Sequence, residues 1–139
     1  MGVVNQCNIQ YTLNMDIDLT DFSASQHGAL FTLLILAMYA DGHLTTVAEK
    51  QLQQLLTAMG HTEELDRQRE FDAAVTRLRP CVLSIHAAKD QALALAEFFT
   101  IRSQQKQVYQ AVEQMMAADH HVSSWETVLL MELRMKFRL

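Results

Sequence analysis

Two short stretches of this chain carry the residue types from which chemistry is built. Residues 37 to 49 read AMYADGHLTTVAE and residues 115 to 126 read MMAADHHVSSWE. Each has a helix-like run ending in Ala-Asp, a turn containing histidine, one aliphatic residue (Leu44 or Val122), a hydroxyl pair (Thr45 and Thr46, or Ser123 and Ser124) and a glutamate opening the next helix. The first copy is longer by one residue. If the two halves pack on one another, Asp41, Glu49, Asp119 and Glu126 become a set of oxygen donors for a divalent metal ion or a polar partner, with His43, His120 and His121 nearby.

The same residues have a structural reading. Thr46-Val-Ala-Glu49 and Ser123-Ser-Trp-Glu126 both match the capping box, in which the hydroxyl accepts from one free helix N–H and the glutamate from another. Asp41 and Asp119 can accept further backbone N–H groups in their own turns. One specific alternative is excluded by ligand arithmetic. With Asp41 and Gly42 at positions 5 and 6 of a calcium loop, Ala37 and Tyr39 fall at positions 1 and 3 and Ala48 at position 12. The second copy places Glu126 at position 12 but Met115 and Ala117 at positions 1 and 3, so neither is a standard calcium loop.

Other reactive groups are sparse. Cys7 and Cys81 are isolated thiols without a CxxC partner, which points to a reducing compartment. His120 and His121 are adjacent in a turn, and no His-Glu-x-x-His motif or His pair four residues apart lies on a helix. No serine sits in a nucleophile elbow and no glycine-rich phosphate loop is present. Trp125 reads as a core anchor joining the two halves. A non-enzyme is the expectation.

The elements that must position these loops are helical. In 139 residues, half of them hydrophobic, there are four glycines and one proline, too few for the frequent tight turns of sandwiches and barrels. That length suits one domain. Ser25 is a candidate cap for a first helix whose core, Ala29 to Ala40, is apolar almost all the way round, as in a helix surrounded by others. A second helix is expected from Val47 to Met59, with Leu52, Leu55, Leu56 and Met59 on one stripe and Gly60 ending it. Thr62 is a candidate cap for a third, Glu63 to Arg79, which Pro80 terminates.

A fourth helix is expected over Cys81 to Arg102, with Asp90 as a break point, a fifth over Gln104 to Ala118 and a sixth over Ser124 to Phe137. On the last, Val128, Leu129, Met131, Leu133 and Met135 form the apolar set. Before all of these, residues 8 to 20 alternate strictly, with Ile9, Tyr11, Leu13, Met15, Ile17 and Leu19 on one side. That is the period of a half-buried strand, and no second alternating segment exists to pair with it. The arm either lies extended along the helices or pairs with the same arm of a second copy. The expected organisation is an extended arm over residues 1 to 22 and an all-α, pseudo-twofold bundle of two helix-loop-helix halves over residues 23 to 139.

Charge narrows the partners. The net charge of −5 argues against a nucleic-acid binder, and residues 1 to 64 hold seven acids against the single base Lys50. A basic partner or a cation should therefore favour the N-terminal half. The tail bases Arg134, Lys136 and Arg138 either complement the dipole at the end of the last helix, the commoner use of such bases, or touch acidic lipid or a partner's acidic face. The N-terminus lacks the basic and apolar regions of a signal peptide, and Phe22 to Ala40 is too short and too interrupted for a membrane span, so a cytoplasmic location is expected.

At its two loops the sequence resembles the TerB-like family, the helical domain of tellurite-resistance proteins that also occurs in some membrane-linked J-domain co-chaperones. The resemblance rests on Leu36-Ala-Met-Tyr-Ala-Asp-Gly-His-Leu-Thr-Thr-Val-Ala-Glu49, its echo Met116-Ala-Ala-Asp-His-His-Val-Ser-Ser-Trp-Glu126 and the helical chain between them, about residues 24 to 139. It implies a compact pseudo-symmetric bundle, no established catalysis, a protein partner in a stress-response or membrane-associated complex, and loop acids that bind metal ions. By matching motif, that last role falls on Asp41, Glu49, Asp119 and Glu126. The sequence departs from the family pattern at the extra residue before Glu49, and at His120, where a glycine is usual. A homodimer, joined through the arm, completes the expectation.

Overall fold

The computed structural model describes residues 19–39, 46–118 and 124–139. The arm over residues 1–18 and both repeated loops, with Asp41 and Asp119, lie outside the described residues. The described chain is all-α: α1 (Ala24–Tyr39), α2 (Thr46–Ala58), α3 (Glu64–Leu78), α4 (Ile85–Ala96), α5 (Arg102–Ala118) and α6 (Ser124–Phe137), with 3-10 turns at Leu19–Asp21 and Arg79–Val82. It contains no strand among the described residues.

The apolar run in α1 does what its composition requires. Leu30, Leu33, Leu34, Ile35, Leu36 and Met38 are all buried, and α1 packs against each of the other five helices. Each such side chain contributes on the order of 1.5–3 kcal/mol by leaving water, which makes α1 the central post of the core. Around it α5 packs on α1, while α2 touches α5 and α1 touches α6. Those reciprocal contacts are what exchanging the pairs α1–α2 and α5–α6 about a twofold axis requires. Helix α3 covers α1 and α2, and α4 lies against α6 and α1.

Several local expectations shift. The cap of α1 is Ser23, not Ser25: Ser23 N–H donates to Gln26 Oε1 at 2.9 Å and Gln26 N–H to Ser23 Oγ at 3.2 Å. A reciprocal box needs Glu or Gln three residues on, which Ser23 has in Gln26 and Ser25 lacks in Gly28. The alternating pattern stops short of Thr20, because Leu19–Asp21 winds into a 3-10 turn that delivers Phe22 into the core, 5.7 Å from the Phe99 ring. For α3 the capping position is Glu63 rather than Thr62, with no side-chain bond closing it.

The long fourth helix is three pieces. Pro80 opens the 3-10 turn, Ser84 caps α4 by accepting from Ala87 N–H at 3.1 Å, and the chain leaves α4 after Ala96 so that Phe99 can insert beside Phe22. Asp90 lies inside α4 and breaks nothing. Gln26 and Gln104 fix that exit, donating to the backbone carbonyls of Phe98 and Asp21 at 2.8 and 2.7 Å. On α6, Leu129 and Leu133 are buried as expected, but Met131 and Met135 face outward. Phe137 takes the last core position of α6, and Arg102 holds the helix end by donating to the carbonyls of Phe137 and Arg138.

Candidate functional site

The two described members of the expected acidic set occupy opposite environments. Glu49 is exposed on α2, whereas Glu126 is fully buried on α6. The cause is register. Helix α6 starts at Ser124, which makes Glu126 its third residue. Helix α2 starts at Thr46, so its third residue is Ala48, which is fully buried, and Glu49 stands one step further round toward solvent. The extra residue of the first copy, which falls within the first turn of α2 where Val47 and Ala48 stand against the single Trp125, has thus exchanged a carboxylate for a methyl group at the equivalent inward position. Thr46 already lies inside α2 and so is not the residue that caps it.

Another group of chemically capable side chains lies where α1, α2 and α3 meet. Gly60, at φ +107°, ends α2 in a conformation that favours glycine, and the turn closes with Gly60 N–H donating to Thr57 O and His61 N–H to Leu56 O, both at 3.0 Å. That pair of bonds is the Schellman motif, and it fixes where His61 leaves the helix. Arg67 clamps the same turn from α3, donating to the carbonyls of His61 and Thr62 at 3.2 and 2.8 Å and to Gln53 Oε1 at 3.0 Å.

The result is convergence. His61 Nδ1 and Asp66 Oδ2 are 2.8 Å apart, and donor atoms of His61, Asp66 and Glu70 all lie within 4.8 Å of one another. Asp66 and Glu70 are one helical turn apart on α3, so they share a face. His61 and Glu70 border a cleft of about 170 Å³ whose lining also includes His27 and Arg77 above an apolar floor of Phe31, Leu56 and Met59. His27 Nε2 is engaged with the Leu19 carbonyl at 3.0 Å, and Arg77 donates to the buried Thr32 hydroxyl at 3.2 Å. Thr32 in turn donates to the Gly28 carbonyl at 2.8 Å.

No family model, curated protein or solved structure matches the chain.

The sequence motifs pointed to the loops and passed over this cleft. Its signal was nevertheless present: a glycine-ended helix delivering a histidine, followed by acids five and nine residues later on one helical face. Chemically, the carboxylate and imidazole pole can hold a cation, while the guanidinium of Arg77, seven residues beyond Glu70 and so about 10 Å along the helix, marks the opposite pole. A second cleft, about 150 Å³ and lined by Val75, Leu78, Arg79 and Val82, is mainly apolar.

Proposed function

We propose that this chain is a non-enzymatic TerB-like module of a tellurite-resistance or chemical-stress assembly, binding a basic protein partner through an acidic face. The observation that carries the reading is the outer side of α3. There Glu64 and Asp72 are exposed, with Glu63 exposed at the helix N-cap, and Leu65 stands 77% exposed beside them, giving an apolar contact bordered by negative charge. Arg69 is also exposed there, while Arg67 is drawn into the turn beneath. Helix α3 packs on α1, α2 and the 3-10 turn, which leaves that side open among the described residues. Exposed leucine within a charged rim is the composition of a protein contact rather than of a catalytic pocket.

The module is proposed to work in the cytoplasm as a homodimer joined through the alternating arm, within a stress-response or membrane-associated complex. No described helix is long and apolar enough to cross a membrane. The decisive experiment is complementation. Deleting the gene in its own host should raise sensitivity to tellurite, the intact chain should restore resistance, and a Glu63→Lys plus Glu64→Lys chain should fold normally yet fail to restore it. Unchanged sensitivity on deletion would remove the stress assignment, and full rescue by the charge-reversed chain would remove the acidic face. For the dimer, the cut belongs before Leu19, whose carbonyl anchors His27. Removal of residues 1–18 should halve the mass by light scattering, and an unchanged mass would refute pairing through the arm.

A further inference from the structure

We infer that His61, Asp66 and Glu70 form a site for one divalent transition-metal ion of the zinc class, separate from the loop acids and from the partner-binding face. The donor set is the first argument. One imidazole nitrogen and two carboxylate oxygens are ligands that zinc accepts, whereas calcium and magnesium favour all-oxygen shells. Geometry is the second. Ligand atoms on a tetrahedral zinc stand about 3.3 Å apart, given bonds of roughly 2.0–2.2 Å. The three donors already lie within 4.8 Å of one another, so modest side-chain rotations bring them onto one ion.

The third argument is that the fold, not the ligands, places them. His61 is held by the Schellman turn and by Arg67 on its carbonyl, while Asp66 and Glu70 project from one face of α3. Arg67 is the base positioned to neutralise these acids, and its donors go instead to two backbone carbonyls and Gln53. Among the described residues Asp66 has only His61 as an ionic partner and Glu70 has none. The adjoining cleft leaves room for water or a small ligand to complete the shell, an open coordination position that a closed structural site lacks. His27 is not counted as a ligand, since its Nε2 is engaged with Leu19.

Titration calorimetry of the tag-free full chain with zinc chloride tests the site, and cobalt(II) absorption reports the coordination. One zinc should bind per chain, with visible cobalt bands of low symmetry. His61→Ala and Glu70→Gln should each weaken zinc by about tenfold or more, since even outer-shell changes around a metal cost that much. Asp66→Asn, nearly isosteric, should do the same with the helical circular-dichroism spectrum unchanged. Asp41→Ala plus Asp119→Ala should leave this binding intact. The inference falls if zinc does not bind, if His61→Ala and Glu70→Gln bind it as the parent does, or if the loss follows His120→Ala plus His121→Ala instead. None of these variants touches Glu63 or Glu64, so failure here and failure of the partner-binding reading are distinguishable.

Discussion

The two helix-loop-helix pairs share a sequence pattern but use it differently. In α5–α6 the glutamate after the loop reaches the third position of its helix and is fully buried, while in α1–α2 an alanine is buried there and the glutamate points outward. One inserted residue makes the difference, because a single step along a helix turns the side chain by about 100°. A repeated motif in sequence is therefore not a repeated environment. The second pair keeps its acid for the interior, and the first presents it to solvent.

This contrast can be broken at several points. The largest effect should come from Ala48→Glu, which would force the second pair's arrangement onto the first. With Ala48 fully buried, the added side chain overpacks the core and buries a carboxylate, and a loss of about 3 kcal/mol or more is expected in urea unfolding. A neutral result would show that the two helix starts are interchangeable. Glu126→Ala should cost about 1–3 kcal/mol, from the void left by a fully buried side chain.

Smaller effects sharpen the same comparison. Gly60→Ala should lose about 1 kcal/mol, because φ of +107° strains any residue with a Cβ, although open space surrounds the site. Its thermal midpoint should fall, and the zinc affinity of the cleft should fall with it as His61 shifts. Ser23→Ala removes the reciprocal box of α1 and should cost about 1 kcal/mol, seen as faster amide exchange in the first turn. Smallest of all, Glu49→Ala should change stability by less than about 0.5 kcal/mol, as exposed substitutions do. Equal costs for Glu49→Ala and Glu126→Ala would overturn the register argument.

Legibility varied with how local the cause was. The burial of α1 and the stop at Gly60 follow from composition and a single residue type, and both stood in the sequence. The inward faces of α5 followed from period, with Val108, Ala111, Val112 and Met115 all buried. Met131 and Met135 misled because an apolar side chain on a helix has no label saying which neighbour covers it, and both stand exposed. The break after Ala96 has no glycine or proline to announce it. It exists because Phe99 meets Phe22, a contact between residues far apart in the chain.

The candidate site divides the same way. The histidine after Gly60 and the Asp66–Glu70 spacing are sequence facts, but their convergence depends on how α3 folds back against the end of α2, with Arg67 locking the turn.

By itself, then, the sequence determined that this chain is helical, that its central post is α1, that its charge is acidic toward the N-terminus and that two loops resemble each other. Periodicity, composition and capping act within a few residues, and those interactions are written in order along the chain. Tertiary structure alone decided that Glu126 turns inward while Glu49 does not, that α4 ends where Phe99 finds Phe22, and that the donor atoms of His61, Asp66 and Glu70 converge. Such outcomes depend on the register and crossing of packed helices, where one residue of offset moves a side chain from core to water.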